Sequence, residues 1–318
     1  MSAFPLPFTP RRVVIGAGSH AAIASYLREH RPGLEIRSAE LTAVTGDDLA
    51  WADTYVGFRR PPAGATMGNV RWVHCTGAGV DSWLSPEELD RSILLTRTPE
   101  SFGPPIAEWV VARVFAFQQQ LLALAEAQRE HRWAPRERIA VSGTKALVVG
   151  TGDVGRAVAR ALTALGVTVD GVSRSGAPVT EFRTVYPVTE LADVVAGAQW
   201  IVLVVPDTAQ ARGIFSRSVL ARCDGAVLLN AGRGSTLDED ALTEALDHGR
   251  LSGAALDVFT TEPLPATSPL WDDARVMISP HISGVTTVEG AANGFLECAA
   301  ELEAARLPKW AVDRERGY

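Results

Sequence analysis

The sequence predicts an α/β protein in which a doubly wound parallel sheet is inserted into a smaller flavodoxin-like α/β unit. Three observations predict it. A glycine turn, Gly150-Thr151-Gly152-Asp153-Val154-Gly155, joins a β-rich run to a helical one in mid-chain. β-rich and helical runs alternate on both sides of that turn. The 318 residues exceed what one hydrophobic core usually organises, and domains of ~100 to 200 residues make two the expectation, with a cleft between them.

The elements follow in order. Before Pro104, short β-rich runs at residues 13–15, 34–38, 54–57, 71–75 and 93–96 alternate with helical stretches and form the smaller unit. Pro104-Pro105 then stands where a helix can start, and Ile106, Trp109, Val110, Val114, Phe117, Leu121 and Leu124 keep the spacing of one long helix. From Lys145 onward the runs at residues 145–149, 167–172, 200–205, 226–230, 253–258 and 275–278 are separated by room for crossovers, the pattern of a Rossmann sheet. A second helix, at residues 288–306, follows the last strand. Two linking helices around a complete sheet predict an inserted cofactor domain at residues 105–286, with residues 1–104 completed by residues 287–318.

Composition excludes several classes. A net charge of -7 with 21% charged residues leaves no basic block for nucleic acid. Pro5, Pro7 and Pro10 interrupt Phe4, Leu6 and Phe8, so neither a signal-peptide core nor a membrane span is expected there. Cys75, Cys223 and Cys298 are odd in number and far apart, which predicts a reducing cytoplasm and no disulfide framework. His20, His30, His74, His131 and His248 lack partners at metal-ligand spacing, and no metal is expected.

The turn at Gly150 follows a strand and opens a helix with the apolar face Val154, Val158, Ala161, Leu162 and Leu165. Gly150 makes the tight turn, Gly152 lets a pyrophosphate approach the backbone, Gly155 allows close packing, and the helix start at Asp153 and Val154 favours negative charge. Gly16-Ala17-Gly18-Ser19-His20-Ala21 matches the pattern too, but its unit offers no clear acid on the second strand. A plain strand-to-helix turn is preferred there over a flavin site. After the second strand of the larger sheet, an NAD site would carry an acid. The chain has Ser173-Arg174-Ser175 instead, which suits the 2′-phosphate of NADP, while Asp170 lies too early in the strand. The near-match of residues 171–175 to a nucleophile elbow ends in serine rather than glycine, which disfavours a serine hydrolase.

Ligands of open α/β sheets sit beyond the carboxyl ends of the strands. Just past the last three strands stand Arg233, Glu262 and His281. If these strands are neighbours, their ends span ~10 Å, within reach of one small substrate. Histidine is the side chain best suited to protonate a developing alkoxide near neutral pH, and a carboxylate beside it favours the charged ring. Arg233 can grip a substrate carboxylate and polarise the adjoining carbonyl, which selects 2-keto acids. The glycine-rich turn at residues 75–81 offers backbone amides for a carboxylate or is a plain strand-helix turn, and Trp83 and Trp271 either wall the pocket or belong to the core.

Asn230-Ala231-Gly232-Arg233-Gly234, residues 256–263 and Pro280-His281 resemble the D-isomer-specific 2-hydroxyacid dehydrogenases over essentially the whole chain. Residues 77–82, Ser173-Arg174-Ser175, Ser268-Pro269-Leu270-Trp271 and the ending at residues 312–318 are most similar to the glyoxylate/hydroxypyruvate reductases. The resemblance implies a hinged cleft and a homodimer formed through the cofactor domains. It makes Arg233, Glu262 and His281 the catalytic three, and Ala78 and Gly79 amide donors to the substrate carboxylate. It further implies that Val205-Pro206 flanks the adenine, that Asp257 meets the nicotinamide amide, and that Ala231, Arg233, His281 and Gly284 complete the cofactor site. Two stretches depart from the pattern: Ile282-Ser283-Gly284, and Phe58-Arg59-Arg60-Pro61-Pro62 near the expected substrate position. The expectation is an NADPH-preferring 2-keto acid reductase. The alternatives are an NAD-linked dehydrogenase for a larger acid whose second charge meets Arg59 or Arg60, and a cofactor-sensing, corepressor-like binding protein.

Overall fold

A computed structural model describes residues 4–62, 66–84, 89–98, 102–136 and 139–317. Its chain divides into two compact units, residues 102–285 and residues 1–101 with 286–318.

In the smaller unit the elements run β1 (Arg12–Gly16), α1 (His20–His30), β2 (Glu35–Ala39), α2 (Gly46–Trp51), β3 (Thr54–Val56), β4 (Trp72–Cys75), α3 (Asp81–Leu84) and β5 (Leu94–Arg97). The five strands are parallel in the order β2-β1-β3-β4-β5, the flavodoxin-like arrangement. Side chains alternate across this sheet as the strand period requires. On β4, Trp72 enters one core with Phe295 and α1, while Val73 and Cys75 enter the other with Tyr55 and Trp83. His74 falls on the Trp72 side, its ring bonded to the Thr96 and Thr98 hydroxyls at 2.8 Å each. Its two nitrogens are therefore both satisfied, and burial drives its pKa down to about 3.

In the larger unit the order is α4 (Gly103–Gln118), α5 (Leu121–Arg129), β6 (Lys145–Val149), α6 (Asp153–Ala164), β7 (Thr168–Ser173), β8 (Val185–Pro187), α7 (Leu191–Val194), β9 (Trp200–Leu203), α8 (Arg217–Leu220), β10 (Ala226–Asn230), α9 (Glu239–Asp247), β11 (Leu251–Leu256) and β12 (Val276–Ile278). All its pairings are parallel, in the order β12-β11-β10-β9-β6-β7-β8. The chain then returns to the smaller unit as α10 (Val288–Glu303), whose first turn is capped by the Thr287 hydroxyl accepting from the Gly290 amide.

Two expectations are corrected. The sheet has a seventh strand, β8, too short for a periodicity signal and closed by Pro187, which only an edge position tolerates. The single long helix is two: Gln120 adopts φ 53, a left-handed conformation that ends α4 and starts α5 afresh. After this break Leu121, Leu122 and Leu124 are exposed rather than in line with the buried face of α4. Strand limits elsewhere differ from the sequence reading by a residue or two, as they do where end residues fray.

Candidate active site

The glycine turn expected to hold the cofactor forms at the end of β6. Gly150 has φ 111, and a Cβ there would meet the Val204 carbonyl oxygen at 2.8 Å. A Cβ on Gly155 would run into the Gly150 carbonyl, so the helix must pack against the turn through a bare backbone. Gly152 differs, with nothing within 4 Å of where its Cβ would stand. It is also the N-cap of α6, with no side-chain cap on the helix's first amides, which include those of Asp153 and Val154. An open face, uncapped amides and the positive end of a helix dipole together fit a pyrophosphate. Val205 lies between this turn and the strand beside it: a Cβ on Gly150 would touch its side chain, and one on Gly232 its carbonyl oxygen at 2.9 Å. Pro206 follows it half-buried, and Ala231 is held by its amide on the Leu203 carbonyl.

Beyond β7 the Ser173 hydroxyl accepts from the Gly176 amide at 3.0 Å and Ser175 from Ala177 at 3.3 Å, folding residues 173–177 into a tight turn. Arg174 is exposed on it. Asp170 pairs with Arg183. The rival turn at Gly16 is filled from within: a Cβ there would collide with the Tyr55 ring, whose hydroxyl donates to the Gly16 carbonyl.

The last three strands are neighbours, and one of the three candidate residues Arg233, Glu262 and His281 stands past the end of each. Past β10, the Asn230 carboxamide accepts from the Gly232 amide and donates to the Arg233 carbonyl, while the Thr236 hydroxyl donates to the same carbonyl at 2.6 Å. The Arg233 backbone is thereby fixed from both sides, and its half-buried guanidinium donates to the Gly232 carbonyl. Past β11, Glu262 accepts the Phe259 amide on Oε1 at 3.0 Å and contacts His281 Nδ1 through Oε2 at 2.8 Å. His281 Nε2 has no partner among the described residues.

Past β12, the loop that carries His281 is built around Asp257, whose side chain is fully buried. Oδ1 accepts from the Ser279 hydroxyl at 2.5 Å and the Ile282 amide at 3.0 Å, and Oδ2 from the Ser283 amide at 2.8 Å. The Asp257 carbonyl accepts the His281 amide. Those bonds hold His281 at φ 55, an uncommon left-handed conformation outside glycine that a surrounding network must impose. Trp109 reaches in from α4 and donates to Ser279 Oγ at 3.0 Å, and Arg113 lies over the Trp109 ring. Gly284 closes the loop, its bare face against Phe102 and Ile106.

In the smaller unit the turn after β4 is glycine-rich for a reason: a Cβ on Gly77 would run into the Phe58 ring. Arg60 is committed to helix α3, donating to the Ser82 and Trp83 carbonyls at 3.0 and 2.6 Å, whereas Arg59 is exposed. Trp83 is core, fully buried against Tyr55, and Trp271 is half-exposed with its indole nitrogen on the Pro265 carbonyl. Among the described residues no group of three His, Cys, Asp or Glu side chains is placed to hold a metal.

The family model for the D-isomer specific 2-hydroxyacid dehydrogenase NAD-binding domain matches residues 111–283. The chain belongs to the D-isomer specific 2-hydroxyacid dehydrogenase family. It is 31% identical to glyoxylate/hydroxypyruvate reductase A of Serratia proteamaculans over 92% of this chain and 94% of that one. Among solved structures it is similar to a D-isomer specific 2-hydroxyacid dehydrogenase from Xanthobacter autotrophicus Py2 in complex with NADPH and MES. That match has TM-score 0.88 and 30% identity, covering 98% of this chain and 100% of that one. An NADPH-dependent glyoxylate/hydroxypyruvate reductase from Sinorhizobium meliloti, solved with NADP and sulfate, matches at TM-score 0.84 and 25% identity over 97% of this chain and all of that one. This 2-hydroxyacid dehydrogenase is thus an NAD(P)-dependent oxidoreductase.

Several hydrogen-bonded supports of the candidate residues' loops escaped the sequence reading. Asn230, Ser279 and Trp109 act through hydrogen bonds to loops, and their signal in a sequence is only a polar atom beside a predicted strand end or on a predicted buried helix face. Arg97, at the end of β5, was missed for the same reason: its guanidinium donates to the Ala78 carbonyl.

Proposed function

We propose that this dehydrogenase is an NADPH-preferring reductase of small 2-keto acids, of the glyoxylate and hydroxypyruvate type, yielding D-2-hydroxy acids. The observation that carries the proposal is the Glu262–His281 pair, held at 2.8 Å past neighbouring strands, with Arg233 past the next strand and Nε2 of the histidine open. A reduced nicotinamide bound at the Gly150 cradle would supply a hydride to C2. The Nε2 proton of the charged His281 passes to the oxygen of the former carbonyl, so that C=O becomes CH–OH, and Nδ1 keeps its proton on Glu262. Glu262 is itself anchored by the Phe259 amide and therefore sets the orientation of the ring. Arg233 grips the carboxylate and polarises the carbonyl, and the Ala78 and Gly79 amides take part of the same charge. Ser173, Arg174 and Ser175 take the 2′-phosphate, and Val205 and Pro206 flank the adenine; Asp257, expected at the nicotinamide amide, is instead buried and engaged by Ser279, Ile282 and Ser283, and acts by holding the His281 loop. The NADPH and NADP held by the two similar structures support that choice of cofactor.

The reading extends to a cytoplasmic homodimer paired through residues 102–285. Support comes from exposed Leu121, Leu122, Leu124, Trp133 and Ile139 on that unit, apolar side chains that a partner surface would cover. An NAD-linked enzyme for a larger acid is the second reading, favoured by the exposed Arg59 next to Phe58. The test is NAD(P)H oxidation with glyoxylate, hydroxypyruvate, pyruvate and longer or doubly charged 2-keto acids, using each cofactor in wild type and Arg174→Ala. The proposal expects NADPH with the short acids to lead. It also expects Arg174→Ala to lose roughly ten- to hundredfold in NADPH preference, as for a charge-assisted contact of ~1.5 to 3 kcal/mol. Unchanged preference would remove Arg174 from the phosphate site, and a lead for NADH with the doubly charged acids would select the second reading.

A further inference from the structure

In the turn after β4, three consecutive carbonyls are each pinned by a hydrogen bond. The Gly77 carbonyl accepts the Thr98 amide at 3.1 Å, the Ala78 carbonyl accepts Arg97 Nη1 at 3.1 Å, and the Gly79 carbonyl accepts the Cys75 thiol at 3.4 Å. None of these peptide bonds is cis. In a trans peptide the N–H points opposite to the C=O of the same plane. Fixing three consecutive carbonyls therefore points the amides of Ala78, Gly79 and Val80 each away from its own carbonyl's donor, and none of the three has an acceptor among the described residues. Successive amides presented together make an anion-binding concavity.

Two of the three anchors come from main-chain or core atoms. Thr98 donates through its backbone, and its hydroxyl is fixed by His74 Nε2 at 2.8 Å, deep in the sheet. Cys75 is buried under the turn. Arg97 is the one long, charged side chain among them, and it holds the central plane, the Ala78–Gly79 peptide.

We propose that Arg97 is a positioning residue for the substrate carboxylate: by holding the Ala78 carbonyl it keeps the Gly79 amide aimed at the bound acid. The inference rests on the functional reading above. Arg97 does not touch the reacting atoms. Its loss acts on the affinity for the keto acid, while the NADPH site and the proton donor keep their geometry.

The experiment is steady-state reduction of glyoxylate and hydroxypyruvate at saturating NADPH by full-length wild type, Arg97→Gln and Arg97→Lys, with NADPH Kd and melting temperature measured alongside. Arg97→Gln should raise KM for the keto acid by about tenfold or more, the scale of one lost charge-assisted hydrogen bond, with NADPH Kd unchanged. Arg97→Lys keeps a charge and a donor, and its KM should lie about threefold above wild type on the same scale. A general structural role would instead shift kcat, NADPH Kd and melting temperature together, and that pattern overturns the proposal. So does a folded Arg97→Gln whose KM stays within about twofold of wild type. Should Arg97→Gln fail to fold, Arg97→Lys decides: a raised KM with unchanged NADPH Kd supports the proposal, and a wild-type KM overturns it. A wild type that reduces no 2-keto acid overturns the functional reading and this inference with it. An active wild type indifferent to Arg97 overturns the inference alone.

Discussion

Replacing Asp257 with Asn keeps the shape of a fully buried side chain and exchanges one of its oxygens for an NH₂ group. The consequence follows from its three partners, Ser279 Oγ, Ile282 N and Ser283 N. If the NH₂ replaces Oδ2 it faces the Ser283 amide. If it replaces Oδ1 it faces the Ile282 amide and the Ser279 hydroxyl. In either orientation a buried donor meets a donor. Each unsatisfied buried donor costs about 1–3 kcal/mol, and the remaining bonds lose their charge assistance, so the expected loss is about 2–4 kcal/mol. In a unit of this size that lowers the melting temperature by roughly 4 to 16 °C. The same loop holds His281 at φ 55, and a displacement of about 1 Å in a catalytic group can cost roughly a hundredfold in rate. Scanning calorimetry with and without NADPH, paired with keto-acid turnover, measures both effects. A melting temperature within about 2 °C of wild type, together with kcat within about twofold, would refute the reasoning that Asp257 organises this loop.

Other consequences can be checked directly. Gly152→Val should fold normally, because its Cβ meets open space, yet lose NADPH affinity by about a hundredfold or more as it fills the place of the pyrophosphate. Gly155→Ala should instead fail to accumulate as soluble protein, since its Cβ runs into the Gly150 carbonyl; equal behaviour of the two variants in expression and NADPH titration would contradict these assignments. His74 is depressed to about 3 in the folded protein. Below pH ~6.5 the unfolded chain binds a proton that the native state refuses, so stability falls by about 1.4 kcal/mol per pH unit as the pH drops from there towards 3. His74→Gln should flatten that slope in denaturant titrations between pH 6.5 and 5. Arg60→Ala should lower the melting temperature by roughly 2–8 °C, for about 1–2 kcal/mol lost at the end of α3, whereas Arg59→Ala should leave it unchanged.

The sequence made the architecture legible where periodicity was strong. Lys145–Val149 and the Gly150 turn could be read because a strand, three spaced glycines and an amphipathic helix agree on one structure. Arg233, Glu262 and His281 were legible because strand ends in a parallel sheet are predictable places. The break at Gln120 was not, since Leu121 and Leu124 continue the helical spacing and only the backbone conformation of one polar residue interrupts it. β8 was lost because three residues ending in proline carry no period. The hydrogen-bonded supports of the site were hidden for another reason. Asp257 could be singled out as a residue, but its grip on Ile282 and Ser283, like that of Arg97 on Ala78, depends on where loops fold back, and pattern alone does not encode that.

The central claim is that His281 delivers the proton in 2-keto acid reduction. His281→Asn tests it best, because asparagine tolerates the left-handed backbone that this position requires. Hydroxypyruvate turnover and NADPH binding would be measured on the same folded sample. The account predicts kcat lower by about 10²- to 10⁴-fold, the usual contribution of a general acid, with NADPH Kd unchanged. Wild-type turnover in that variant would contradict it.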